Sequence, residues 1–191
     1  MLFFWKIRPM TRPLGLMLAM LVVGLPAVAQ AQSARAVLRD AQGTVVGAAT
    51  LNEVSGGVKI AVQVGGLKRG EHGFHIHAVG MCEPPAFTTA GAHFNPYGKE
   101  HGHKNPKGAH AGDLPNLTVR ADGTGSIDVT AAGVTLTPGR ASLLQPGGTS
   151  LVIHADPDDE KTDPAGNSGT RIACGVIAPP NSTQEQPAPR P

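Results

Sequence analysis

The chain has 191 residues, of which 16% are charged and 4% aromatic, with a formal net charge of +2. That length suits one domain of ordinary size around a single core. Removing Lys6, Arg8 and Arg12, which fall in an export segment, from the sixteen basic residues leaves thirteen against fourteen acidic ones, a balance that excludes a nucleic-acid footprint.

Residues 1–31 read as an export signal. Three cations precede an apolar run at 14–28, and the small residues Ala27, Ala29 and Ala31 suit a signal peptidase. Gly15, Gly24 and Pro26 interrupt that run, which favours a cleaved leader over a membrane anchor. The mature protein is therefore expected to be soluble and exported, either periplasmic or secreted. Export makes pairing of Cys82 with Cys174 a commoner outcome than metal ligation or two buried free thiols.

With 25 glycines and 17 prolines, turns must be frequent. Residues 34–39 (ARAVLR) and 44–53 (TVVGAATLNE) flank DAQG and predict a hairpin. Residues 58–64 (VKIAVQV) alternate, placing Val58, Ile60, Val62 and Val64 on one face, as a half-buried strand requires. In 73–79 the same alternation sends His75 and His77 to one face while Phe74 and Ile76 point to the core. Further strands are predicted at 117–120 and 125–129 around the turn ADGT, then at 149–154 and 171–177. About eight short strands and no convincing helix predict an all-β Greek-key barrel or sandwich spanning 34–178. The tail 179–191 (PPNSTQEQPAPRP) is too polar and Pro-rich to fold and is expected to be disordered.

Residues 73–113 hold six of the eight histidines and no regular period. A loop of that length inside a compact domain points to a ligand around which it folds. His93, His101, His110 and Asp113 make a closed set for zinc, three imidazoles and a carboxylate. His75 and His77, with His154 as candidate third, make an imidazole set that suits Cu(II). His93, directly before FNP, is placed to sit between the two.

The motifs GFHIH, AGAHFNP, HAGDLPN, VIHADPDD and RIACGVI together resemble the copper/zinc superoxide dismutases, over about residues 34–177. The exported form, with Cys82 close behind the H-x-H pair, is similar to the bacterial periplasmic branch. The resemblance implies copper on His75, His77, His93 and His154, and zinc on His93, His101, His110 and Asp113, with His93 as a bridging imidazolate. It implies that Asp158 accepts hydrogen bonds from His75 and His101, that Arg171 guides the anion beside copper, and that Cys82 and Cys174 form the intrasubunit disulfide. The implied activity is disproportionation of superoxide to dioxygen and hydrogen peroxide, with copper as the redox centre and zinc redox-silent.

The subloop EPPAFTTAGA departs from the eukaryotic pattern, so subunit contacts do not carry over, and both a monomer and a homodimer accord with the resemblance. Lys104, Lys107 and Lys161 are candidates for further substrate guidance and are expected to be solvated surface lysines instead. His72 is expected at the surface or in a turn, and His103 outside the ligand sets. The main competing function is an exported copper/zinc buffer or delivery protein of the same fold. Arg171 and Asp158 argue against it, because storage needs no anion-guiding cation.

Overall fold

The computed structural model describes residues 32–182; the export segment 1–31 and the tail from residue 183 onward lie outside the described residues. The domain is all-β, with nine strands and one short 3-10 turn at Thr88–Ala90. β1 (Ser33–Asp40), β2 (Val45–Val54) and β3 (Gly57–Val64) form an antiparallel meander joined by tight turns. β4 (Gly70–His72) and β5 (Phe74–His77) follow at once, and β6 (Leu117–Val119), β7 (Gly125–Ala132), β8 (Thr149–His154) and β9 (Arg171–Ile177) complete the set.

The strand order is β4-β6-β7-β3-β2-β1-β9-β8-β5, and every pairing is antiparallel. The first and last strands of that order are consecutive in the chain, so the sheet curls into a nearly closed barrel whose seam runs through Gly73. Crossover connections make the Greek-key arrangement expected from the turn-rich sequence.

Inward side chains follow the period of two. In β3, Val58, Ile60, Val62 and Val64 are buried, whereas Lys59 and Gln63 are exposed. Leu38, Leu51, Phe74 and Leu151, all 0% exposed, belong to the same core. Each such side chain contributes roughly 1.5–3 kcal/mol by leaving water. β5 and β8 depart from simple alternation, since every residue in them is buried. One face looks into the barrel, and the other lies beneath the long loop between β5 and β6.

β4 was not foreseen, because three residues are too few to show a period. With it comes a correction: His72 is 2% exposed rather than at the surface. Its Nδ1 lies 2.8 Å from the carbonyl oxygen of His154 and its Nε2 2.8 Å from that of Lys68.

Candidate metal centre

The loop between β5 and β6 does not wander away from the sheet. It returns along the free edge of β5, with isolated bridges pairing His77 with His93 and His75 with Asp113. The Ile76 amide donates to the Gly112 carbonyl, and the Phe94 amide to the Ile76 carbonyl, both at 2.8 Å. Such close approach explains glycine at 112: a Cβ there would run into the Ile76 carbonyl and sit 2.9 Å from the Phe94 nitrogen. Main-chain pairing thus brings His93, Phe94, Gly112 and Asp113 against the strand that carries two of the histidines.

Seven side chains converge as the H-x-H strand and the irregular spacing predicted, in two groups sharing one member. His75, His77, His93 and His154 form one group, and His93, His101, His110 and Asp113 the other. Within each group one donor atom per residue lies within 4.8 Å of the others, and all of these residues are buried. The rings of His75 and His93 have centroids 4.0 Å apart, and His93 and His110 5.5 Å.

Outer contacts fix which nitrogen of each ring faces inward. His77 Nδ1–H donates to the Gly91 carbonyl at 2.9 Å and His154 Nδ1–H to the Gly169 carbonyl at 3.2 Å. Their Nε2 atoms are then left together, 3.4 Å apart. Asp158 divides its carboxylate: Oδ2 accepts from His75 Nε2 at 2.7 Å and Oδ1 from His101 Nε2 at 3.0 Å. Asp113 Oδ1 lies 2.9, 3.1 and 3.2 Å from the Nδ1 atoms of His93, His101 and His110. Its Oδ2 is held by the backbone amides of Gly102 and His110 at 2.9 and 3.0 Å.

Three buried ring nitrogens have no hydrogen-bond partner: His75 Nδ1, His93 Nε2 and His101 Nδ1. A dry interior leaves so few polar atoms orphaned that three in one cluster need an explanation. A cation supplies it, because each is the lone-pair position of an imidazole whose other nitrogen is already engaged. The donor set therefore fits two metal ions.

The electrostatics agree for three of the rings, whereas His101 holds a proton that a metal would displace. Burial, reinforced by neighbouring histidines, lowers His77 to about 2, His93 to about 4 and His154 to about 3, so these rings are neutral, the form that binds metal. For His101, burial is outweighed by Asp113 and Asp158, which raise it to about 9. The carboxyls of Asp113 and Asp158 are held well below the usual carboxylate range, since bonds from His101 and its neighbours override the upward push of burial.

Arg171 is half-buried and donates from Nη1 to the Phe87 carbonyl and from Nη2 to the Gly91 carbonyl, both at 2.6 Å. Its positive charge contributes to depressing both His77 and His154, which sets it beside the first group. Cys82 and Cys174 are disulfide-bonded and tie the start of the loop to β9.

Other candidates separate cleanly. His103 is exposed, with Nε2 3.1 Å from the Asp113 carbonyl oxygen, and belongs to neither group. Lys104 and Lys107 pair at the surface with Glu160 and Glu100, and Lys161 is also exposed. Asp163 was missed: its Oδ1 accepts the His101 amide at 2.7 Å, and only the turn-forming Asp-Pro pair hinted at it. Asn95 shapes the turn after His93, its Oδ1 accepting the Lys99 amide at 3.0 Å.

A nearly closed Greek-key barrel carrying two buried histidine-rich groups on a shared imidazole defines a binuclear metalloprotein of the all-β class. Comparison with known proteins specifies which. The family model described as copper/zinc superoxide dismutase matches residues 45–177. The chain is 47% identical over 165 residues to superoxide dismutase [Cu-Zn] 2 of Aquifex aeolicus, covering 85% of this chain and 96% of that one. It is 42% identical over 148 residues to superoxide dismutase [Cu-Zn] of Caulobacter vibrioides, with coverage of 76% and 85%. A crystal structure of a superoxide dismutase-like protein from Bacillus subtilis superposes with a TM-score of 0.72 at 40% identity, covering 74% and 96% of the two chains. The chain belongs to the copper/zinc superoxide dismutase family. It is accordingly an oxidoreductase with copper and zinc as cofactors.

Proposed function

We propose that this chain disproportionates superoxide to dioxygen and hydrogen peroxide, with copper held by His75, His77, His93 and His154 and zinc by His93, His101, His110 and Asp113. The observation that carries the reading is His93 itself. Its Nδ1 faces Asp113 in one group and its buried, unpartnered Nε2 faces the other, so this ring, once it loses the Nδ1 proton, would offer a lone pair to each group. When bound, copper would supply a one-electron redox couple and zinc a fixed, redox-silent charge.

The protein's own groups do the rest. His93 Nε2 is the atom at which a proton is held between the two half-reactions; that proton and a second from water leave with the peroxide, while the first superoxide leaves as dioxygen. Asp158 fixes the tautomers of His75 and His101 together, so both groups keep one geometry. Arg171 uses two of its five N–H donors on carbonyls and holds its charge beside the copper ligands, where it attracts a small anion. The disulfide supports an oxidising compartment and hence the removal of residues 1–31 on export.

Metal analysis with a superoxide-consumption assay tests the reading. About one copper and one zinc per chain with turnover is the expected result. Both metals bound without turnover would mean a buffer or delivery protein, and would overturn it.

A further inference from the structure

Phe87 occupies a backbone conformation that its own residue type disfavours. It has φ 53° and ψ 27°, the left-handed region, where a bulky side chain is rare and persists only if its surroundings hold it. The surroundings here are the disulfide. The ring is 0% exposed and belongs to a small cluster of Cys82, Ala90, Val152 and Cys174, separate from the main core. Its amide donates to the Glu83 carbonyl at 3.0 Å, and residue 87 then opens the 3-10 turn Thr88–Ala90.

That conformation decides where two oxygens point. The Phe87 carbonyl accepts from the Ala90 amide at 3.2 Å and from Arg171 Nη1 at 2.6 Å. The turn ends at Gly91, whose carbonyl accepts both Arg171 Nη2 at 2.6 Å and His77 Nδ1 at 2.9 Å. A guanidinium is a rigid planar fork and needs its acceptors in fixed positions to be held by two of them. The covalent bridge fastens the loop at Cys82, five residues earlier, so it does not by itself set the dihedral angles of residue 87.

We propose that Phe87 is a positioning residue for Arg171: its buried ring locks the left-handed turn that aims the carbonyls of residues 87 and 91 at the guanidinium. The inference rests on the anion-guiding reading of Arg171 given above. Removing the ring lets the backbone relax to a right-handed or extended conformation, turns the Phe87 carbonyl away and frees the cation.

The test is a double-mutant cycle on the copper- and zinc-loaded enzyme with Phe87→Ala, Arg171→Ile and their combination. Alongside it go the binding of azide as a stable small anion and hydrogen exchange at the Ala90 and Gly91 amides. We expect Phe87→Ala alone to lower kcat/KM about three- to tenfold and flatten its salt dependence. Azide binding should weaken by a similar factor, and the two amides should exchange faster. Phe87→Leu should restore all four readouts, and in the Arg171→Ile background Phe87→Ala should change kcat/KM by less than about twofold. Equal losses from Phe87→Ala in both backgrounds would overturn the inference, as would an unchanged salt response in the single variant. If Arg171→Ile alone alters neither rate nor salt dependence, the reading of Arg171 falls instead. Where Phe87→Ala does not fold, Phe87→Val, which keeps an apolar side chain but loses most of the ring, carries the same comparison.

Discussion

Replacing Asp158 by Ala perturbs both metal sites with a single change. In the native protein its two oxygens are engaged separately, Oδ2 by His75 at 2.7 Å and Oδ1 by His101 at 3.0 Å. The carboxylate is buried, so each bond is charge-assisted and little screened. Loss of an outer partner of a metal-binding histidine typically costs about 10–100-fold in affinity, which is about 1.4–2.7 kcal/mol per site. Because one bond serves each group, both copper and zinc should loosen by a factor in that range. Dissociation constants are measured separately, by competition with a calibrated chelator for each metal, on variant protein whose circular dichroism matches the wild type. Asp158→Asn, which keeps the shape but carries no charge, should fall between the two. A folded Asp158→Ala variant that binds both metals as tightly as wild type would refute the reasoning, and loss at one site only would break the claim that the carboxylate serves both.

Three further outcomes follow from the same geometry. Arg171→Ile should lower kcat/KM about tenfold and flatten its dependence on ionic strength, with copper content unchanged by atomic absorption; a retained salt slope would count against the guiding role. Gly166→Ala places a Cβ on the Asp158 carboxylate and 2.7 Å from His101 Nε2, at a φ of +60°. It should cost at least about 1–2 kcal/mol, lower Tm by several degrees and loosen zinc. The metal-free protein should be most stable near neutrality. His77, His93 and His154 have folded values below their ordinary one, so the unfolded chain takes up protons that the folded chain refuses. Their effect is a loss of stability as pH falls from about 6.5 toward 4, on the order of 3 kcal/mol from His93 alone. His101, raised to about 9, contributes stability that is full below about 6.5 and is lost as pH climbs to about 9. Thermal melts of the metal-free protein across pH 4–10 check both arms, and added zinc, which displaces the His101 proton, should remove the alkaline one.

Much of the site was legible because its chemistry rides on alternation. In β5 the period of two alone puts His75 and His77 on one face, and both rings do enter the same group although all four residues of the strand are buried. The family's motifs supplied the rest, and the residues they marked do converge. What escaped was short or fixed by long-range contacts. β4 has three residues, too few to show a pattern, so His72 looked like a turn histidine although it bonds the backbone of His154, 82 residues on. The return of residues 92–94 and 112–113 along β5 depends on main-chain pairing that no side-chain sequence records. Phe87 and Gly166 were unreadable for the same reason, since their backbone angles matter only beside partners far away in the chain.

The pairing of β1 with β9 has a consequence for how the protein comes into being. Arg39 lies opposite Cys174, and the Arg35 amide reaches the Ala178 carbonyl at 2.9 Å, so the earliest strand waits for the final one. Because His154, Asp158, Arg171 and Cys174 also come from the last quarter of the described domain, neither the barrel nor the group of His75, His77, His93 and His154 is complete until β8 and β9 have been added. Topology of this kind makes folding slow and puts completion of that histidine group among its late events.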